Sequence, residues 1–335
     1  MKPEQEVRAA LNTTTNVNTL FDSTYSSEIE KQIDKMIVDI LNNNTPLRAW
    51  MPRKSMNGQL SYFWHLRTAN NTSTAFYSDG GSGTAATGTK VVLQAIALSF
   101  RTDWEVTGLM EAGSASYYSA LADEIHNAAV NHALIEEYQI ILGDDVGAGL
   151  GNSANGFLGM KQIVNSFVTM GDTDTVFGVQ RQSTYTYMDS AVVAGGADAL
   201  DLPELDQSIT AIEKRAGQAA AIVCSHDKAD EISQLLQSQQ RFQGTLNLEG
   251  GFTVATYRGV PIIKSIAMAY GGASDTDTAI YVLGAGIWEM RVLKETTNTP
   301  VAQTRSDVEG GFLKTYEVLV CKDLTKNCLL SGLSA

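Results

Sequence analysis

The stretch QLSYFWHLR, residues 59–67, most constrains what this chain can become. It alternates: Leu60, Tyr62, Trp64 and Leu66 project to one side, and Ser61, Phe63, His65 and Arg67 to the other. A polar tip, TANNTS (68–73, with Asn70 and Asn71), follows, then TAFYS and DGGSGTAATGTK, the last too rich in small polar residues to pack a core. Val92, Gln94, Ile96, Leu98 and Phe100 then make a further alternating strand. Residues 57 to 100 therefore read as a long two-stranded excursion. An isolated ribbon of this kind is marginal in water, so it has to lie on another surface. Trp64, and Trp50 ahead of the ribbon, are large apolar groups on elements that offer little burial within one subunit. They point to subunit interfaces, where Trp is enriched, with ordinary core packing as the alternative.

Composition bears on the same point. Hydrophobic residues make up 44% of the 335 and charged ones only 18%, so much of the surface must be neutral Asn, Gln, Ser, Thr and Gly. That suits a surface that largely meets other protein. The length allows two domains or one elaborate one, with a sizeable core. A formal net charge of −13 argues against electrostatic capture of nucleic acid or anionic lipid, because phosphate contacts need clustered Lys and Arg. The start, MKPEQEVRAALNTTTNVN, lacks the apolar centre of a secretory signal. The strongest apolar run, VVLQAIALSF, is too short and broken to span a bilayer. Cys224, Cys321 and Cys328 form an odd set without ligand-like pairing and read as reduced thiols, Cys224 within the buried strand AAAIVC.

Before the ribbon, residues 1–24 read as a polar extended arm. Ser27 and Glu30 then form a capping box, and Ile29, Ile33, Met36, Ile37, Ile40 and Leu41 share one helical face that must bury itself somewhere. After the ribbon, Thr102 and Glu105 have capping-box spacing and predict a helix through about Ala112. A longer helix is predicted over 116–142, with Leu121, Ile125, Ala128, Ile135 and Leu142 on period and a glycine stop at Gly143. An α/β region follows: helices in 203–217 and 226–238, and strands at 219–224, FTVATY, VPIIKS and AIYVLG. Two strands, 287–297 and 314–323, close the chain, joined by a long polar segment.

The segment GDDVGAGLGNSANGFLGM (143–160) contains six glycines and the G-x-G-x-x-A spacing of a dinucleotide fingerprint at Gly149–Ala154. That fingerprint needs a strand before it and a helix N-terminus after it. Here the carbonyl end of a long helix precedes it, and Asp144 and Asp145 add negative charge, so both features repel phosphate. A flexible hinge at Gly143, Gly147, Gly149, Gly151 and Gly156 is the expectation. His132 and Glu136 are spaced i, i+4 as metal ligands can be, with His126 a turn and a half earlier, yet no HExxH is present. The DTDT runs at 172–175 and 275–278 lack the spaced ligands of a calcium loop. No G-x-S-x-G elbow anchors a nucleophile. No catalytic residue, cofactor or metal is expected.

Three stretches carry a family likeness: KVVLQAIALSFRTDWEVTGLMEAG, ALIEEYQIILGDDVGAGLGNSANGFLGM and EGGFTVATYRGVPIIKSIAM. With the order of arm, ribbon, long helix, glycine-rich turn ending NGFLGM, α/β region and final strands, the chain resembles the major capsid proteins of tailed double-stranded-DNA viruses, whose fold encapsulins share. The resemblance covers about residues 57–323. It implies an α+β tailed-phage capsid fold with four parts. These are an N-terminal arm with an amphipathic helix (1–56), an extended loop and return strand (57–100), a peripheral domain with a long spine helix (101–160 and 285–335), and an α/β axial domain (161–284). It implies self-assembly into pentamers and hexamers of an icosahedral shell enclosing double-stranded DNA without specific binding. Implied subunit contacts run through arm and loop, at Ile33, Ile37, Trp50, Tyr62, Trp64, Arg67, Asn70 and Asn71.

Some relatives cross-link subunits through a loop Lys, but residues 57–89 contain none, so that chemistry is not expected. Some begin with a long scaffolding segment. Only some 50 residues precede the ribbon here, so a separate scaffolding protein is expected, with a portal, possible decoration proteins and no membrane. An encapsulin-like cargo shell is the first alternative, and a nucleotide- or metal-dependent enzyme the second.

Overall fold

The computed structural model of the chain describes residues 45–70, 79–81, 88–114, 119–143, 156–170, 175–181, 186–196, 199–238, 245–247, 253–268, 278–301 and 307–334. The arm helix with Ile33 and Ile37 lies outside the described residues, as do Asn71, Gly147, Gly149, Gly151 and most of both DTDT runs.

A four-stranded sheet is built on a long antiparallel hairpin of β13 (Trp288–Val301) and β14 (Val308–Cys321). The two strands expected over 287–297 and 314–323 thus extend well into the polar segment between them, because Thr297 through Val301 pair with Lys314 back to Gly310. β4 (Leu98–Thr107) pairs antiparallel with β14, and β1 (Arg53–Ser55) pairs parallel with β13, giving the order β1-β13-β14-β4. Thr102 and Glu105 are therefore strand residues, and the helix α2 starts only at Gly108 (Gly108–Ser114). Ladder bonds from Val308 to Glu317 hold residues 98–107 extended, and Trp104 and Val106 are buried on the sheet's inner face. Alternation outweighs a capping signal when a partner strand is available.

The larger sheet has seven strands in the order β7-β15-β12-β8-β11-β10-β9. They are β7 (Ala191–Ala194), β8 (Ala219–Cys224), β9 (Thr245–Asn247), β10 (Thr253–Tyr257), β11 (Val260–Lys264), β12 (Ile280–Gly284) and β15 (Cys328–Ser331). β8–β11 and β15–β7 are parallel pairs, and the other neighbours are antiparallel. The central strands AAAIVC and IYVLG read as apolar runs because they are covered on both faces. On one face lie α6 (Leu202–Glu213), opened by an Asp201/Glu204 capping box, and α7 (His226–Ser238), with Leu205, Ile209, Ile212, Ile232 and Leu236 forming the contact.

The opposite face joins a core shared with the spine helix α3 (Ala120–Leu142) and the four-stranded sheet. From Glu136 onward every residue of α3 is buried, so its last two turns are a core rod, not an amphipathic surface helix. Between α3 and the larger sheet the chain makes α4 (Met160–Ile163) and α5 (Phe167–Met170), followed by the small hairpin of β5 (Thr175–Val176) and β6 (Val179–Gln180).

Two expected boundaries shift. β15 leaves the peripheral part and pairs between β7 and β12, so the chain's end belongs to the larger sheet and not to the domain expected over 285–335. The crossing is fastened by the fully buried Asn327, whose Oδ1 accepts from Gly284 N (3.1 Å) and Trp288 Nε1 (2.8 Å) while Nδ2 donates to Leu324 O (3.2 Å). At the other end, residues 45–56 are body rather than arm. Leu47 of α1 (Pro46–Trp50), Met51 just after it and Met56 just after β1 enter the main core.

Candidate subunit-contact surface

The ribbon expected over 57–100 forms from β2 (Ser61–Asn70) and β3 (Gly88–Ile96), antiparallel, with Trp64 opposite Leu93 and Tyr62 opposite Ala95. β3 stops at Ile96, and Leu98 and Phe100 belong to β4, in the other sheet. The two faces alternate as the sequence indicates, and they differ in burial. The Tyr62–Trp64 face lies against the chain's own body. Trp64 is 8% exposed, donates Nε1–H to Lys322 O (3.2 Å) and meets the Phe177 ring edge-on at 4.9 Å. Tyr62 stacks on Trp64 and lies under the Arg291 guanidinium, 4.1 Å from its ring centre, and accepts a 3.0 Å bond from Arg291 Nη2.

Arg291, Lys54 and Lys322 all pair with Glu289. Burial opposes charge on that carboxylate, but bonds from Lys54, Lys322 and Arg291 outweigh it and hold its pKa below the ordinary value. Trp64 is thus a core residue of its own chain, the core-packing alternative of the sequence reading, and Tyr62 packs half-buried beside it. Ala95 and Leu93 close the inner face beside a 3.0 Å bond from Gln94 N to Phe177 O.

The outer face is the one left open. Phe63 is 56% exposed, Val92 50% and Ile96 47%, with His65 and Arg67 also exposed and Leu60 59% exposed just before the ribbon. Asn70 sits in the ladder opposite Gly88. Trp50, on α1, is half-buried against the main core instead of projecting.

Where the chain enters the body, α1 and β1 are tied down by buried ions. The Glu137 carboxylate accepts the N–H groups of Leu47 (3.2 Å) and Arg48 (2.8 Å) and the Ser265 hydroxyl (2.8 Å). Burial pushes its pKa up to about 7. Arg48 Nε and Arg53 Nη1 both donate to Glu136 at 2.5 Å, and Arg53 Nη2 donates to Glu317 (2.7 Å) and Glu295 (3.2 Å). Burial and then Glu136 push Glu317 up to about 8. For Arg53 burial works against the charge, and Glu136 and Glu317 outweigh it, so its pKa is raised. His132, one turn before Glu136, is buried and stacked on Phe100 at 4.1 Å. Its Nδ1 pairs with Thr102 Oγ1 (3.0 Å) and its Nε2 with Thr315 Oγ1 (2.7 Å). Burial pushes it down to about 4. Both ring nitrogens are engaged by hydroxyls and Glu136 by two arginines, so the i, i+4 pair does structural work.

At the glycine-rich turn, Gly143 and Gly156 are packing positions and not free pivots. A side-chain carbon on Gly143 would fall 2.3 Å from Phe157 O, and one on Gly156 2.2 Å from Gln139 Nε2. Gly159 N donates to Gly143 O (2.6 Å) and Gln139 Nε2 to Phe157 O (2.6 Å), pinning both ends. A helix C-terminus precedes the turn and the four-residue α4 follows it, which is not the strand–turn–helix context of a pyrophosphate site. Cys224, Cys321 and Cys328 are all buried, and burial pushes each thiol up. No described helix is long and apolar enough to cross a membrane.

Residues 10–334 match the profile of a family described as SU10 major capsid protein. The fold is similar to the capsid asymmetric unit of cyanophage A-1(L), at 12% identity and a TM-score of 0.71, covering 92% of this chain and 98% of that one. It is similar also to the capsid of a native GTA particle, at 12% identity and a TM-score of 0.64, covering 96% and 100%. The holo-SrpI encapsulin complex of Synechococcus elongatus matches at 13% identity and a TM-score of 0.57, covering 96% of each chain. At these identities the likeness is one of fold. No curated protein matches the sequence.

Proposed function

The chain belongs to the SU10 major capsid protein family and is a non-enzymatic shell subunit of a tailed phage's icosahedral capsid, and from that premise we propose how its copies meet. They associate as pentamers and hexamers, with the outer ribbon face of one subunit lying on the body of the next. The observation that carries this reading is the contrast across one ribbon. Its inner face packs on its own chain, while Phe63, Val92 and Ile96 on the outer face stay exposed in a chain with only 44% hydrophobic residues. Burying that apolar area supplies the attraction, against repulsion between subunits of net charge −13. The same acidity favours an interior that confines DNA without gripping it. A scaffolding protein, a portal and decoration proteins are the further partners of this proposal. The encapsulin match is one of fold, and the family assignment favours a viral shell over a cargo compartment.

The test is the double variant Phe63→Asp, Val92→Asp. It is expected to keep the wild-type circular dichroism and to yield no closed shells by negative-stain microscopy. Shells in normal yield would overturn the proposed contact.

A further inference from the structure

The ion cluster beneath α1 and β1 is unbalanced. Glu136, Glu137 and Glu317 have no exposure, and the charges opposed to them are Arg48 and Arg53, which are only partly covered. Glu137 spends its carboxylate on two backbone N–H groups and Ser265 and receives no ion pair from the described residues. Glu317 receives Arg53 on Oε2, while its Oε1 is buried without a hydrogen-bond partner among the described residues. A fully charged carboxylate seldom leaves an oxygen bare in the interior, because the desolvation goes uncompensated. A protonated one leaves a far smaller debt.

We propose that this cluster is a proton-operated latch. With a proton on Glu317, residues 45–55 are clamped to the spine helix and β14, and loss of that proton loosens the clamp. The latch joins three sequence-distant pieces. Arg48 on α1 and Arg53 on β1 reach Glu136 on α3 and Glu317 on β14 across separations of 83 to 264 residues. The groups facing Glu317 and its partner Arg53 are Arg48 from α1, His132 and Glu136 from α3, and Glu295 from β13. Removing the proton leaves a second carboxylate negative beside Glu136, and Arg53 must serve both. The contact energy of α1 and β1 then falls without any change in the apolar anchors Leu47 and Met51.

The direction with pH follows from linkage. Burial is the largest cause holding the Glu317 carboxyl up at about 8, ahead of the opposing pull of Arg53 and Arg48, so an opening that lets water reach it releases the proton, and the closed state binds that proton more tightly than the open one. Closure is therefore favoured at lower pH and is lost as pH rises toward that value, levelling above it. Glu137, raised to about 7, adds to the loss over the lower part of the same window. His132, lowered to about 4, acts oppositely, weakening the closed state as pH falls from the ordinary imidazole range. Above the ordinary carboxyl value of 4.5 the two carboxyls together outweigh His132, so the closed state is tightest in mildly acid solution and weakens steadily toward neutrality and beyond.

The latch lies within one chain, so it stands or fails separately from the subunit contacts proposed above. Hydrogen–deuterium exchange of the full chain, corrected for the intrinsic pH dependence of exchange, reads it directly. Protection over residues 45–56 is expected to fall by about tenfold or more between about pH 6.5 and about pH 8.5, then level. In Glu317→Gln, which keeps the shape and removes the charge, most of that fall should vanish. Constant protection in the wild type, or an unchanged fall in the variant, would overturn the proposal. Should the variant not fold, carbon-13 spectra of glutamate-labelled wild-type protein decide. A carboxyl still protonated above neutrality supports the latch, and ionisation of every carboxyl by about pH 6 refutes it.

Discussion

On one face of the ribbon Trp64 and Leu93 face each other across the ladder at 8% and 0% exposure, whereas on the other Phe63 and Val92, one position along, stand at 56% and 50%. Both faces carry aromatic and aliphatic side chains, interleaved on the outer one with Ser61, His65, Arg67 and Gln94, and both belong to the same two strands. What separates them is only the side of the pleat and what lies beneath it. Phe177, Arg291 and the Lys322 carbonyl receive the inner face, and no group of the chain's own described body covers the outer one. The outer face carries exposed apolar side chains that no described residue covers, which is the basis of the contact proposed above, while its twin holds the ribbon to the body. The ribbon's side-chain period of two makes this division sharp, since a slip of one residue would exchange the faces completely.

Substitutions can break or sharpen that contrast. The largest effect should come from Trp64→Ala, which removes a buried aromatic body, the bond to Lys322 O and the Phe177 contact. A loss of about 3–5 kcal/mol is expected in chemical denaturation, and a loss within experimental error would mean that the ribbon is not anchored as described. Leu93→Ala, directly opposite, should cost about 2–5 kcal/mol, mostly at the lower end if Tyr62 and Phe177 settle into the space. Phe63→Ser should change subunit stability by no more than about 0.5 kcal/mol while reducing shell yield. If Phe63→Ser destabilised the isolated subunit as much as Leu93→Ala, the two faces would not differ and the contact reading would lose its basis.

Much of this architecture is legible in the residues. The alternation at 59–67, the buried run AAAIVC, the two helices flanking it and the glycine stop at Gly143 all appear where expected, because each is a local pattern backed by burial. The choice of inner face was not legible. The alternation does not say which side is covered, because Phe177 and Arg291, which pack on Trp64 and Tyr62, arrive from over a hundred residues downstream. Thr102 and Glu105 mislead for a related reason. Their spacing fits a helix start, yet Phe100, Thr102, Trp104 and Val106 also alternate, and β14 decides between the two. The Glu136–Arg53–Glu317 cluster had no local signal at all. Charged residues read as surface by default, and only the fold brings these three together.

The crossing from β14 to β15 has a mechanical consequence. Asn327 bonds the edge of β12, the first residue of β13 and the turn ahead of β15, so the two sheets are stitched at the point where they could otherwise pivot. A load applied to one sheet passes to the other through a seam of buried bonds. At this seam the two sheets are coupled, so removing the Asn327 amide would loosen both of them at once.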